Sequence, residues 1–215
     1  MYINERSLEI VNNFNNKTFH ILGCGAIGSS AATQITRMGG AQFVLYDMDV
    51  VEVQNVGVSH YILKDIGKKK VNALELHIKS INSDSFIVKY HGEFIKFPKQ
   101  LDEDDIVILG FDNMRTRLLA AKEACKANPG VLIDGRMGAE EYQQHSFYKP
   151  TLKRYTKHWY TDGMAKDAPC NAKATSYCSN MAGAFIANGV RKALTDQPLM
   201  EEMYFSFPQL TLARR

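Results

Sequence analysis

Residues 18–28 read TFHILGCGAIG, an apolar stretch that runs into Gly23, Gly25 and Gly28 in the spacing G-x-G-x-x-G. A short strand followed at once by that spacing is the first β-α unit of a nucleotide-binding sheet. Backbone N–H groups at a helix N-terminus cradle phosphate, and glycine permits the close approach. The helix itself follows in Ile27, Ala31, Ile35 and Met38, spaced by four, four and three residues, until Gly39-Gly40 ends it.

Outward from this unit the same alternation continues. The strand QFVLYD delivers Asp47 and Asp49, and Asp47, 22 residues after Gly25, is placed to take ribose hydroxyls. Val71, Leu74, Ile78 and Ile81 predict a helix whose first turn holds Lys68, Lys69 and Lys70. Lysine there opposes the helix dipole, which invites a functional reason. Strands SFIVKY (85–90) and DIVILG (105–110), a helix from about Asn113 to Ala127 and the strand VLIDG complete a Rossmann-like, doubly wound, mainly parallel α/β sheet. After Gly138 the pattern changes to an antiparallel strand (QQHSFYK), an irregular stretch over 149–171, a long small-residue-rich helix near 174–195, and a tail, MYFSFPQLTLARR, with one or two more strands. The chain reads as one domain over 1–215: a nucleotide-binding core (1–140), then a crossover loop, long helix and terminal strands (141–215). The 149–171 segment exceeds ordinary loop length, which favours a crossing loop or lid.

Composition agrees with one domain: 215 residues, 45% hydrophobic and 23% charged. With no run of about 18 apolar residues and no signal-like start in MYINERSLEI, the expectation is a soluble, cytoplasmic protein without a membrane role. A net charge of +3, from 26 basic and 23 acidic residues, is too balanced to imply nucleic acid. The stretch FYKPTLKRYTKHWY has four basic residues, no acidic ones and five aromatics. It suits a single-stranded nucleic acid less well than it suits a loop guiding an extended peptide tail. Cys24, Cys125, Cys170 and Cys178 contain no C-x-x-C pair, and His145, His158, Cys170 and Cys178 lie too scattered for a substitute site, so no structural zinc is expected. Cys125 and Cys178 read as buried helix residues, and Cys24 as the small residue its loop tolerates.

The glycine loop and Asp47 alone do not separate NAD from ATP. The strand DIVILGFD tips that balance, because it ends in Asp112 and continues as Asn113-Met114-Arg115-Thr116-Arg117 at the carboxyl edge where ligands bind. Hydride transfer has little need of such a cluster. An ATP site does, since a carboxylate can hold Mg²⁺ while cations neutralise charge developing at phosphorus.

With GCGAIG, YDMDVVEVQN, DIGKKKV and GFDNMRTR in order, the chain resembles, over nearly its whole length, the ThiF/MoeB adenylyltransferases and the adenylation domains of ubiquitin-activating enzymes. The resemblance implies use of MgATP to adenylate a carboxylate, commonly the C-terminal glycine of a ubiquitin-like or sulfur-carrier protein, with release of pyrophosphate. It assigns Asp47 to ribose, Lys70 to phosphate and Asp112 to Mg²⁺, sets Asn55 near the phosphates, and puts Asn113 and Arg117 beside Asp112. It also implies a homodimer, to which Arg6 could contribute across the interface. Cys170, in DAPCNAKATSYCSNMAG, matches the region where relatives carry a reactive cysteine, and Lys173 with the following helix N-terminus could lower its pKa. One departure is Val58, where many members have a phosphate-binding arginine; Arg136 in IDGRMG is the preferred substitute, ahead of Lys68 and Arg115. Alternative readings are adenylation of a small-molecule or peptide carboxylate, a noncatalytic nucleotide-binding scaffold, and an NAD-dependent oxidoreductase.

Overall fold

The apolar runs pair side by side as β3-β2-β1-β4-β5-β6-β7-β8 in a computed structural model that describes residues 3–162 and 174–214. β1 (Thr18–Leu22), β2 (Gln42–Asp47), β3 (Phe86–His91), β4 (Asp105–Leu109) and β5 (Val131–Gly138) are parallel to one another. β6 (Glu141–Tyr148), β7 (Glu202–Ser206) and β8 (Thr211–Arg214) extend the sheet antiparallel. The expected fold class, a mostly parallel α/β sheet with antiparallel C-terminal strands, is what the chain adopts. Its helices are α1 (Ala26–Arg37), α2 (Val53–Val56), α3 (Lys70–Ile81), α4 (Met114–Ala127), α5 (Leu152–Thr156) and α6 (Ser176–Leu194). No helix among the described residues is long and apolar enough to cross a membrane.

Both faces of the inner parallel strands β1, β2, β4 and β5 are covered, which is why these strands read as continuous apolar runs rather than alternating ones; the edge strand β3 is largely exposed. On one face Phe19, Ile21, Phe43, Leu45, Ile106 and Ile108 pack under α1, α3 and α6. The small residues of α6 serve that packing: Gly183 lies so close to α1 that a Cβ would sit 2.2 Å from the Ser30 hydroxyl. On the other face Leu22, Val107, Leu109 and Leu132 meet α4 and Tyr155 of α5.

Two readings from sequence are corrected. The 149–171 stretch is not irregular throughout, because Thr151 caps α5 and buried Tyr155 docks it on the sheet. α3 begins only at Lys70. Gly67, at φ +83°, turns the chain, and Lys69 forms an antiparallel bridge with Val50, which leaves Lys68 and Lys69 before the helix. The link from β3 to β4 contains no helix; Phe94, Phe97 and Leu101 are buried where a crossover helix would otherwise cover the sheet.

Candidate functional site

Strand order reverses between β1 and β4, so their carboxyl ends open a crevice, the usual ligand position in an open α/β sheet. The glycine loop shapes it. Gly23 has φ +91°, and a Cβ there would lie 2.8 Å from the Gly110 backbone; at Gly28 it would lie 1.9 Å from the Gly23 carbonyl oxygen. These two glycines let loop, helix and neighbouring strand close together. Gly25 differs, since nothing lies within 4 Å of its Cβ position, and it directly precedes α1, whose first N–H groups lack a side-chain cap. Space and unpaired donors therefore coincide where an anion would sit.

Asp47, at the end of β2, is buried and accepts the Cys24 N–H at 2.7 Å on one oxygen and the Asp49 N–H at 2.8 Å on the other. Burial raises its pKa, although both hydrogen bonds and nearby Lys70 oppose that shift. Lys70 donates to Asp49 at 2.7 Å. Burial disfavours its charge, but Asp49, Asp47 and Asp112 outweigh that effect and raise its pKa. Asp112 is exposed; its partner is the Asn113 amide at 3.2 Å. The Asn113 side-chain oxygen in turn caps α4 by accepting the Thr116 N–H at 2.8 Å. Asn55 lies on α2, where its side-chain oxygen accepts the Glu52 N–H at 2.8 Å.

Arg117 and Arg136 meet elsewhere. Both guanidiniums pair with fully buried Asp134, Arg136 at 2.8 Å, and Tyr155 adds its hydroxyl at 2.9 Å. Burial would raise the Asp134 pKa, yet the two arginines hold it below the usual carboxylate range. Among the described residues neither guanidinium bonds to Asp112 or Lys70. Cys170 and Lys173 lie outside the described residues. Cys24 is buried, and desolvation pushes its thiol pKa well up, which disfavours a reactive thiolate.

Sequence reading missed three supports of the crevice. Buried Tyr61 donates its hydroxyl to the Cys24 carbonyl and stands 3.3 Å from the Lys70 carbonyl, which ties the glycine loop to the start of α3. Past α5, Trp159 donates to the Met114 carbonyl at 3.1 Å and Asp162 accepts the Met114 N–H at 3.0 Å, so this segment lies against the start of α4. Asp65, 1% exposed, gathers the turn before Lys70: His77 lies 2.7 Å away, and Lys68 and the Ile62 N–H each 3.0 Å.

Burial alone would raise the Asp65 pKa, but His77, Ile62 and Lys68 together lower it to about 2. A folded-state pKa below the unfolded value of about 3.9 gives stability that is present above pH ~4 and disappears as pH falls towards ~2. The contribution is on the order of 2 kcal/mol. Urea unfolding of wild type and Asp65→Asn at pH 7, 4 and 2.5 checks this: the gap between them is largest at pH 7 and narrows in acid. A constant gap would contradict it.

The profile of the ThiF family matches residues 4–212. Ubiquitin-like modifier-activating enzyme 5 of Bombyx mori is 29% identical over 136 residues, covering 56% of this chain and 34% of that protein. The tRNA threonylcarbamoyladenosine dehydratase of Bacillus subtilis is 34% identical over 74 residues, 34% of this chain and 29% of its own length. The chain thus aligns with about a third of the length of these relatives. Crystalline E. coli MccB has the same fold, with a TM-score of 0.78 at 16% identity, covering 100% of this chain and 64% of that one. A profile match that takes in the glycine loop, both acidic strand ends and α6 settles the kinship, and the chain belongs to the ThiF family.

Proposed function

We propose that the chain binds MgATP at the β1/β4 crevice and adenylates a carboxylate, forming an acyl-adenylate and releasing pyrophosphate. The preferred substrate is the C-terminal glycine of a ubiquitin-like or sulfur-carrier protein. One observation carries the reading: Lys70 is fixed by Asp49 at 2.7 Å beside the open approach to Gly25, within the field of Asp47 and Asp112. A dinucleotide-binding oxidoreductase has no evident use for that cation and exposed carboxylate together.

The residues fit the group. Each Asp47 oxygen accepts one backbone N–H and keeps a lone pair for a ribose hydroxyl. Asn55 uses its oxygen within α2, which leaves its amide nitrogen as a donor to phosphate. Asp112, exposed and free of any ion pair among the described residues, would hold Mg²⁺, with the Asn113 amide beside it. When bound, Mg²⁺ supplies charge neutralisation on the phosphates. The incoming carboxylate and the α-phosphate are both anionic, so the chief contribution of the chain is preorganised positive potential from Lys70 and the α1 N-terminus. Arg117 and Arg136 act here as positioning residues that join β5, α4 and α5 through Asp134.

In a following step the Cys170 thiolate would attack the acyl carbon, forming a thioester as AMP leaves. A homodimer completes the proposal, since β8 leaves one sheet edge open with Leu210 and Leu212 exposed beside it. A second reading, with a peptide or small-molecule carboxylate as substrate, draws on MccB, a microcin C7 biosynthetic enzyme solved with N-formylated MccA and with ATP.

Exchange of labelled pyrophosphate into ATP tests the proposal. With the correct carboxylate present exchange is expected, and it survives in Cys170→Ala because the thiol acts only after the adenylate forms. Absence of exchange across carrier proteins, peptides and small acids, with a thermal shift for NAD but none for MgATP, would overturn it.

A further inference from the structure

His145 and His158 are 13 residues apart in the chain, and Glu202 is 44 residues beyond the second, but the fold makes them neighbours. His145 in β6 is the register partner of Glu202 in β7, and His158 follows α5 on the same face, its ring centroid 4.9 Å from that of His145. One donor atom from each of the three lies within 4.8 Å of the other two.

His145 is 2% exposed, yet neither of its ring nitrogens has a hydrogen-bond partner. A buried imidazole left bare on both sides is costly, so its surroundings call for an additional group. His158 is also distinctive. Its Nδ1 lies 3.9 Å from Glu202, while its Nε2 lies 3.5 Å from Glu201, whose carboxylate is held by Arg154 at 2.9 Å. An imidazole with one nitrogen towards a shared centre and the other towards a fixed carboxylate has the outer-shell arrangement usual for metal-ligating histidine. Arg136 lies nearby and shares the single Asp134 carboxylate with Arg117, so the negative charge facing an ion here comes from Glu202 and Glu201 on the other side.

We propose that His145, His158 and Glu202 bind one divalent transition-metal ion of the zinc type. Two imidazole nitrogens and one carboxylate oxygen favour such an ion over magnesium or calcium, which prefer all-oxygen shells. Metal–donor distances of about 2.1 Å ask for donor separations of roughly 3.4 Å. The His158–Glu202 pair is near that value, and both side chains, 18% and 35% exposed, have room to close in. Their exposure also gives the ion an entry path, and three protein ligands leave a position for water. Bound there, the ion clamps the segment after α5 to β6 and β7, and with it the residues that lie against the start of α4.

The test is titration of the full-length, untagged, chelator-treated chain with Zn²⁺ and with Co²⁺, without nucleotide, so that it stands apart from the fate of the ATP reading. One equivalent of Zn²⁺ is expected to bind and raise the melting midpoint, and Co²⁺ to give visible d–d absorption. Glu202→Gln and His145→Asn should each weaken binding by more than about 100-fold, and Arg154→Ala, acting through Glu201, by roughly 10-fold. Glu202→Gln, altered at a half-exposed position, should melt close to the metal-free wild type, which separates ligand loss from misfolding. No saturable uptake by wild type, or uptake unchanged in both ligand variants, as when cysteines capture the ion, would overturn the proposal.

Discussion

Asp134→Ala destabilises the fold by about 3–5 kcal/mol, the range for leaving a buried charge without its partner. Arg117 and Arg136 are each 4% exposed, and Asp134 is their only ion-pair partner among the described residues. Without it Arg117 keeps a bond to the Leu109 carbonyl at 3.4 Å, Arg136 keeps the His158 carbonyl at 2.6 Å, and the Tyr155 hydroxyl loses its acceptor. Carbonyl dipoles cannot replace the carboxylate charge, so two desolvated cations remain close to each other. Asp134→Asn keeps the volume and one acceptor for Tyr155 and should fall between alanine and wild type. Guanidinium unfolding followed by circular dichroism measures both; a loss under 1 kcal/mol for alanine would show that solvent reaches these arginines.

Lys70→Ala and Asp112→Ala each reduce pyrophosphate exchange by about 10²–10³-fold, the usual effect of removing one preorganised electrostatic contact from a reacting phosphate. Neither variant should unfold the chain. Lys70 contributes one ion pair to a half-exposed Asp49, and Asp112 only a 3.2 Å contact with the Asn113 amide. The two losses should differ in character. Asp112→Ala is partly rescued by raising Mg²⁺, whereas Lys70→Ala is not, because the cation is part of the chain itself. Trp159, the single tryptophan, lies against the start of α4 and provides a fluorescence report of nucleotide binding in both variants. Exchange within threefold of wild type in Lys70→Ala would remove that residue from the chemistry.

The parts of this molecule that were legible in sequence are those encoded locally. Strand, glycine spacing and helix in 18–37 are contiguous, and each glycine has a steric or spatial reason that spacing alone announces. The inner parallel strands β1, β2, β4 and β5 announce themselves as apolar runs because both their faces are covered. The Asp134 centre was not legible: Arg117, Arg136 and Tyr155 come from α4, β5 and α5, and pairing them requires the sheet order. The same holds for His145 and His158, which looked scattered until β6, β7 and α5 brought them together. α5 was missed because a helix of five residues shows barely one turn of periodicity. The start of α3 was misjudged because three successive lysines hide a boundary set by Gly67 and the Val50–Lys69 bridge.

Asp162 takes the N–H of Met114, two residues after Asp112, and Trp159 takes its carbonyl. Both polar groups of one backbone unit next to the proposed nucleotide edge are thus held by the segment that follows α5. Linkage then imposes a symmetry: by whatever factor occupancy at Asp112 shifts the docking of residues 159–162, anything that docks or lifts those residues shifts occupancy at Asp112 by the same factor. On the adenylation reading, if that factor differs from one, a protein substrate touching this segment would adjust the affinity for nucleotide without reaching the phosphates.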